Sequence, residues 1–199
     1  MLASLHPYVA FLRAINVAGH VVVKMEDLKG AFEAAGCLNV RTYIQSGNVL
    51  FEAPKEGGAA LRRKIHARLS GLLGGEQVVM YRTAAELQAL IEADPFKKQR
   101  PGAEDKLYIA FLAQKPTAMP EFPLILAKDG LEAFGMKGLN VFIVSRKVKG
   151  RYGFPNNFIE KSFGAPATTR NWNTIAKIAE MGNSEILRSF VRHSRSRPA

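Results

Sequence analysis

The first 82 residues alternate strand-like and helix-like apolar patterns in the order strand, helix, strand, strand, helix, strand, and this order restricts the accessible folds more than any other feature of the chain. Residues 8–13 (YVAFLR) form a short run rich in strand formers, followed by an Asn- and Gly-containing loop over 14–20. Met25, Leu28, Phe32 and Ala35 then recur at helical spacing, with Glu26 and Asp27 in the favoured acidic first turn and Gly36 at the stop. Residues 40–44 and 49–51 read as two strands joined by Gln45-Ser46-Gly47-Asn48, whose Gly and Asn tolerate the positive φ of a tight hairpin. Leu61, Ile65, Leu69, Leu72 and Leu73 make the next helical stripe, with Arg62, Arg63 and Arg68 largely off it, and residues 78–81 supply a fourth strand. The order βαββαβ is that of the ferredoxin-like unit.

Thr83 and Glu86 have capping-box spacing and open a helix that ends near Asp94, before Pro95. Residues 96–104 are the linker candidate. Beyond it the pattern predicts a strand at 107–112, a Pro-flanked helical turn around 124–128, paired strands near 131–136 and 141–146, a helix at 157–163, and two last helices at 173–181 and 184–193 with a disordered tail over 194–199. The expectation is an α+β chain of two ferredoxin-like domains, 1–82 and 83–199 with the boundary inside 83–104, the second more divergent and carrying the C-terminal helices. No residue-level repeat stands out between the halves.

The length of 199 residues suits two modest domains, and 47% hydrophobic with 23% charged residues is an ordinary globular composition. The longest apolar runs fall far short of the roughly 20 residues a membrane-spanning helix needs, and residues 1–7 show neither a basic n-region nor a long apolar stretch. A cytoplasmic location without a membrane partner is therefore expected. A lone Cys37 excludes an intramolecular disulfide and a cysteine-based zinc site. Its place after Gly36 suits a small buried residue.

Lys and Arg outnumber Asp and Glu by 28 to 17, a net charge of +11 that favours polyanionic partners. Lys137, Arg146, Lys147, Lys149 and Arg151 occur with no acid between Glu132 and Glu160, and Arg188, Arg192, Arg195 and Arg197 follow the last acid, Glu185. Such runs are as often solvated faces as binding surfaces.

Two polar clusters lie where a ligand can bind. The end of the first strand of a ferredoxin-like sheet lies beside the start of the third, which brings Arg13 and Asn16 near Ser46, Gly47 and Asn48. A guanidinium, two carboxamides and a hydroxyl suit a phosphate or carboxylate. The competing explanation is a hairpin turn with Asn16 as a loop cap. The second cluster is Thr168-Thr169-Arg170-Asn171-Trp172-Asn173-Thr174, where Asn171 or Asn173 caps the following helix. Trp172 with Arg170 can stack a planar ligand, or Trp172 can be a core residue.

Catalytic constellations are thin. His6, His20, His66 and His193 have no metal spacing, and no metal site or cofactor is expected; Cys37 shows no sign of activation. Walker, Rossmann, nucleophile-elbow and HExxH motifs are absent from the sequence. Phe11 and Phe51 stand on the strands that carry stacking aromatics in RNA-recognition modules, yet residues 46–52 lack the RNP1 pattern, so both are expected in the core.

The segments YVAFLRAINVAG (8–19), VKMEDL (23–28), VRTYIQSGNVLF (40–51) and TTRNWNT (168–174), in this order, closely resemble the signature segments of the bacterial domain-of-unknown-function 1697 family. The resemblance implies a cytoplasmic protein with two α+β domains of ferredoxin-like character, and it transfers no catalytic residue. Ala18-Gly19 stands where relatives often carry two glycines. The matched segments hold Arg13, Asn16, Ser46, Gly47, Asn48, Arg170, Asn171 and Trp172, which become the candidate ligand-binding residues. The leading expectation is a binding protein for an anionic ligand, nucleic acid or a phosphorylated small molecule, with both clusters facing a cleft. The alternatives are a small-molecule enzyme using the same residues and a purely protein-binding role.

Overall fold

The computed structural model describes residues 4–16, 22–55, 58–117 and 119–195, with side chains through residue 183. The loop residues 17–21, with Ala18-Gly19, and the end of the tail at 196–199 lie outside the described residues. The fold is mixed α+β, with two antiparallel sheets and, among the described residues, five α-helices. The chain divides into a unit of Met1–Ala89 with Lys177–Ala199 and a unit of Leu90–Ala176.

In the first unit the order is β1 (Leu5–Leu12), α1 (Met25–Ala34), β2 (Leu38–Thr42), β3 (Asn48–Pro54), α2 (Gly58–Leu73) and β4 (Val79–Thr83). The sheet order is β2-β3-β1-β4, so β1 is central and antiparallel to both β3 and β4, with Phe11 opposite Asn48 and Val9 opposite Arg82. Tyr8, Ala10 and Leu12 face a core shared with Leu28 and Phe32 of α1 and Ile65, Leu69 and Leu73 of α2. Val9 and Phe11, which alternate with them, are also fully buried. Burial on both faces is why β1 reads as one continuous apolar run.

The helix α3 (Ala84–Ala93) starts at a capping box: the Glu86 N–H donates to Thr83 Oγ1 at 3.1 Å while Glu86 Oε2 accepts from the Thr83 N–H at 2.6 Å. At the chain end, the two helices expected over 173–193 are one, α5 (Trp172–Arg195). Gly182 lies between the two expected ranges. A Cβ there would lie 2.9 Å from the Ala84 Cβ, so this glycine lets the helix approach Ala84 rather than ending it. Arg41 also reaches this helix, donating from Nη2 to the Met181 carbonyl at 3.1 Å.

The second unit holds β5 (Lys106–Leu112), β6 (Leu124–Leu126), β7 (Leu131–Lys137), β8 (Asn140–Ser145), α4 (Asn156–Phe163) and β9 (Ala167–Asn171), in sheet order β6-β7-β8-β5-β9. The segment expected to turn helical near 124–128 is instead the edge strand β6, paired with β7, followed by a single 3-10 turn at Ala127–Asp129. Leu124 and Leu126 pack on the core while Ile125 between them is exposed, a period of two that a three-residue strand is too short to announce.

The strand registers bring out a correspondence between the units. Tyr8-Val9-Ala10-Phe11-Leu12 and Tyr108-Ile109-Ala110-Phe111-Leu112 both lie on interior strands, each paired on two sides. Phe11 pairs with Asn48 as Phe111 pairs with Asn140, and Val9 with Arg82 as Ile109 with Arg170. The Leu12 N–H donates to the Gly47 carbonyl at 2.8 Å, and the Leu112 N–H to the Leu139 carbonyl at 2.9 Å. Among the described residues no helix of the second unit corresponds to α1, and β6 is the addition.

Candidate functional site

In the first cluster, Gly47 has φ +72° and a Cβ there would lie 3.0 Å from the Leu12 Cβ and 3.2 Å from the Ile15 Cβ. The turn is thereby pressed onto the end of β1, and only glycine fits. Asn48 is fully buried and its amide donates to the Tyr43 carbonyl at 3.0 Å and to Ser46 Oγ at 2.9 Å. Asn16 uses both ends of its carboxamide on one residue, donating to the Val23 carbonyl at 3.0 Å and accepting from the Val23 N–H at 2.8 Å. It ties the residues after β1 to those just before α1. Arg13 is half-buried at the β1 exit, its backbone N–H bonded to the Val78 carbonyl at 3.1 Å. The structure thus gathers Ser46, Gly47 and Asn48 into one turn beside Leu12, and the carboxamides of Asn16 and Asn48 hold backbone.

In the second cluster, Thr168, Thr169 and Arg170 are buried on β9. Arg170 Nη1 donates to Thr168 Oγ1 at 2.7 Å and to the Thr169 carbonyl at 2.9 Å, and burial pushes its guanidinium down to about 10. Its counterpart Arg82 donates to the Tyr81 carbonyl at 2.8 Å; burial lowers it too, with Glu86 opposing. Of the two possible caps for α5, Asn171 serves: its Oδ1 accepts the Asn173 N–H at 2.9 Å. Trp172 packs edge-on against buried Phe96, ring centres 5.2 Å apart, in a group with Phe134 and Phe142. The edge-on contact of Trp172 with Phe96 and the inward bonds of Arg170 tie these side chains into the unit.

The cationic surfaces separate more clearly. Of the basic run after Glu132, Arg146 pairs with Glu132 at 2.6 Å and with Asp105 at 3.8 Å, and Lys147 pairs with Glu104 at 3.5 Å. Carboxylates remote in sequence therefore offset part of that run. Helix α2 is different. Its 16 residues contain no acid, and Arg62, Arg63, Lys64 and Arg68 are exposed. None of the four is in an ion pair among the described residues. Its apolar residues Ile65, Leu69 and Leu73 are buried, which turns the cations outward. Arg62 is fixed at one margin, 5.1 Å over the Tyr81 ring, and His66 meets the same ring edge-on at 6.1 Å. The Tyr81 hydroxyl is buried without a hydrogen-bond partner among the described residues, and burial holds it well above the usual phenol range despite Arg62. The sequence signal for α2 as a surface was the acid-free stretch of a helix, which the denser basic runs later in the chain overshadowed.

Among the described residues no group of three or more His, Cys, Asp or Glu is placed to hold a metal ion, and no helix is long and apolar enough to cross a membrane. A family model described as "Protein of unknown function (DUF1697)" matches residues 5–142. No curated protein sequence matches the chain. Among solved structures, the chain is similar to the conserved bacterial protein SP0830 from Streptococcus pneumoniae, at 21% identity and a TM-score of 0.63, over 90% of this chain and 99% of that one. The likeness is one of fold.

Proposed function

The chain belongs to this family of proteins of unknown function, and from that premise we propose that it binds polyanions, nucleic acid foremost, through the outward cations of α2. The observation that carries this reading is the exposed set Arg63, Lys64 and Arg68, with Arg62 beside it, on a helix free of acidic residues. Lys64 and Arg68 stand one turn apart and Arg63 adjoins Lys64, a spacing that lets one phosphate backbone meet all three. Phosphate contact of this kind positions a nucleic acid without reading its sequence. The residues first singled out, Arg13, Asn16, Ser46, Gly47, Asn48, Arg170, Asn171 and Trp172, take part as the groups that hold the sheet ends and loops. We take both units as ferredoxin-like, the second diverged by loss of its first helix; the matching strand registers support this. Work on nucleic acid inside the cell suits a chain with one buried cysteine.

The test is fluorescence anisotropy with a labelled DNA duplex at low salt, comparing the wild type with a triple variant carrying Arg63→Gln, Lys64→Gln and Arg68→Gln. All three side chains are exposed, so the variant should melt like the wild type. At about 1 kcal/mol or less per phosphate contact, affinity should fall by about tenfold to a hundredfold. Equal affinity of the two proteins would remove α2 from the proposal.

A further inference from the structure

Residues 145–155 present an exposed aromatic ring on a backbone held at several points. Val148 and Arg151 exchange both backbone hydrogen bonds, at 2.8 and 3.0 Å, and enclose Lys149 and Gly150, whose φ values are +48° and +79°. Positive φ at both central residues is the pattern of a two-residue hairpin, and a lysine takes it only at a cost of about 1 kcal/mol. The Tyr152 hydroxyl donates to the Glu104 carbonyl at 2.6 Å, and the Tyr152 ring lies 4.1 Å from Lys106 Nζ and 5.9 Å from Lys147 Nζ. Gly153 donates its N–H to the Asp129 carbonyl at 3.1 Å and accepts from Ser145 Oγ at 3.2 Å. A Cβ on Gly153 would run into that same carbonyl. Pro155 is buried, and α4 begins at Asn156. Between these fixed points Phe154 is 66% exposed. A large apolar ring held in water by an ordered backbone loses little freedom when something covers it.

The charge on the same short segment selects what covers the ring. Glu104, Asp105 and Glu132 are engaged with Lys147 and Arg146, whereas Lys149 and Arg151 are exposed and in no ion pair among the described residues. An exposed aromatic ring three residues along the chain from Arg151 and five from Lys149, both exposed, matches the way single-stranded nucleic acid is held, with a base on the ring and phosphates on the basic side chains. We propose that Phe154 and the hairpin of Lys149 and Arg151 form a stacking site for single-stranded nucleic acid. The inference rests on the reading that the protein binds nucleic acid, and it adds a contact to bases where α2 offers only contact to phosphates.

The experiment measures affinity of the full chain for labelled oligothymidylate and for heparin, a polyanion without bases. In Phe154→Ala the ratio of oligothymidylate affinity to heparin affinity should fall about tenfold, within the roughly 5- to 150-fold range of one base–aromatic stack, and Phe154→Trp should restore it. Both variants should melt like the wild type, because the ring is exposed. An unchanged ratio in Phe154→Ala overturns the stacking site. So does a wild type that binds heparin but not oligothymidylate, which leaves polyanion binding by α2 intact. A wild type that binds neither overturns both, and binding of polyglutamate in a Phe154-dependent way, without oligothymidylate binding, assigns the surface to an acidic protein instead.

Discussion

Cys37 is 3% exposed, and burial pushes its thiol from 9.0 up to about 11. The native state therefore keeps a proton that the unfolded chain gives up, so the cysteine's contribution is complete below pH 9 and is lost as pH rises towards about 11. Thermal unfolding across that window should fall more steeply for the wild type than for Cys37→Ala; parallel slopes would contradict the buried-thiol account. The same burial predicts a thiol slow to react with disulfide reagents in the native protein. Gly47 makes a second residue-scale prediction. At φ +72°, with Leu12 and Ile15 within 3.2 Å of a virtual Cβ, Gly47→Ala should cost about 1–3 kcal/mol in urea unfolding. A loss below about 0.5 kcal/mol would show that the turn can shift away from β1. Neither constraint is written in the residue itself: the Gly47 turn was legible as a turn, but its pressure on Leu12 depends on β1 and β3 being neighbours.

At the scale of elements, α5 sets propensity against packing. Helix propensity alone says Gly182→Ala stabilises by about 0.8–1 kcal/mol. The 2.9 Å approach to the Ala84 Cβ says the added methyl must displace α3, so the variant should be less stable than the wild type. Combining it with Ala84→Gly should recover stability beyond the sum of the two single changes, and strict additivity would deny the contact. This also explains why one helix read as two: Gly182-Asn183 is a stop signal when the neighbour that requires the glycine is unseen. Elements with long stripes, such as α1 and α2, or with capping chemistry, such as α3, were legible because their determinants are local. The strand β6 was not, since only its pairing to β7 makes it a strand. The correspondence between Tyr8-Val9-Ala10-Phe11-Leu12 and Tyr108-Ile109-Ala110-Phe111-Leu112 likewise gains meaning only from register, where Arg82 and Arg170 fall opposite equivalent residues.

Across the whole molecule, the net charge of +11 is divided into surfaces of different character. The run from Lys137 to Arg151 is partly offset by Glu104, Asp105 and Glu132, leaving Lys149 and Arg151 outside ion pairs among the described residues. Helix α2 has no acid of its own, and its cations remain outside ion pairs among the described residues. The polar clusters that the sequence made prominent are bonded inward: Asn16 to Val23, Asn48 to Tyr43 and Ser46, Arg170 to Thr168 and Thr169. Sequence reading found these residues because polar side chains near predicted strand ends look the same whether they serve a ligand or the fold, and the hydrogen bonds add a role in the fold that the sequence does not show. The account therefore centres on α2, and its most direct test is a salt titration of duplex binding. Three phosphate contacts through Arg63, Lys64 and Arg68 predict that the slope of log affinity against log salt is shallower by about 2.7 in the triple glutamine variant than in the wild type. The same slope in both proteins would contradict it.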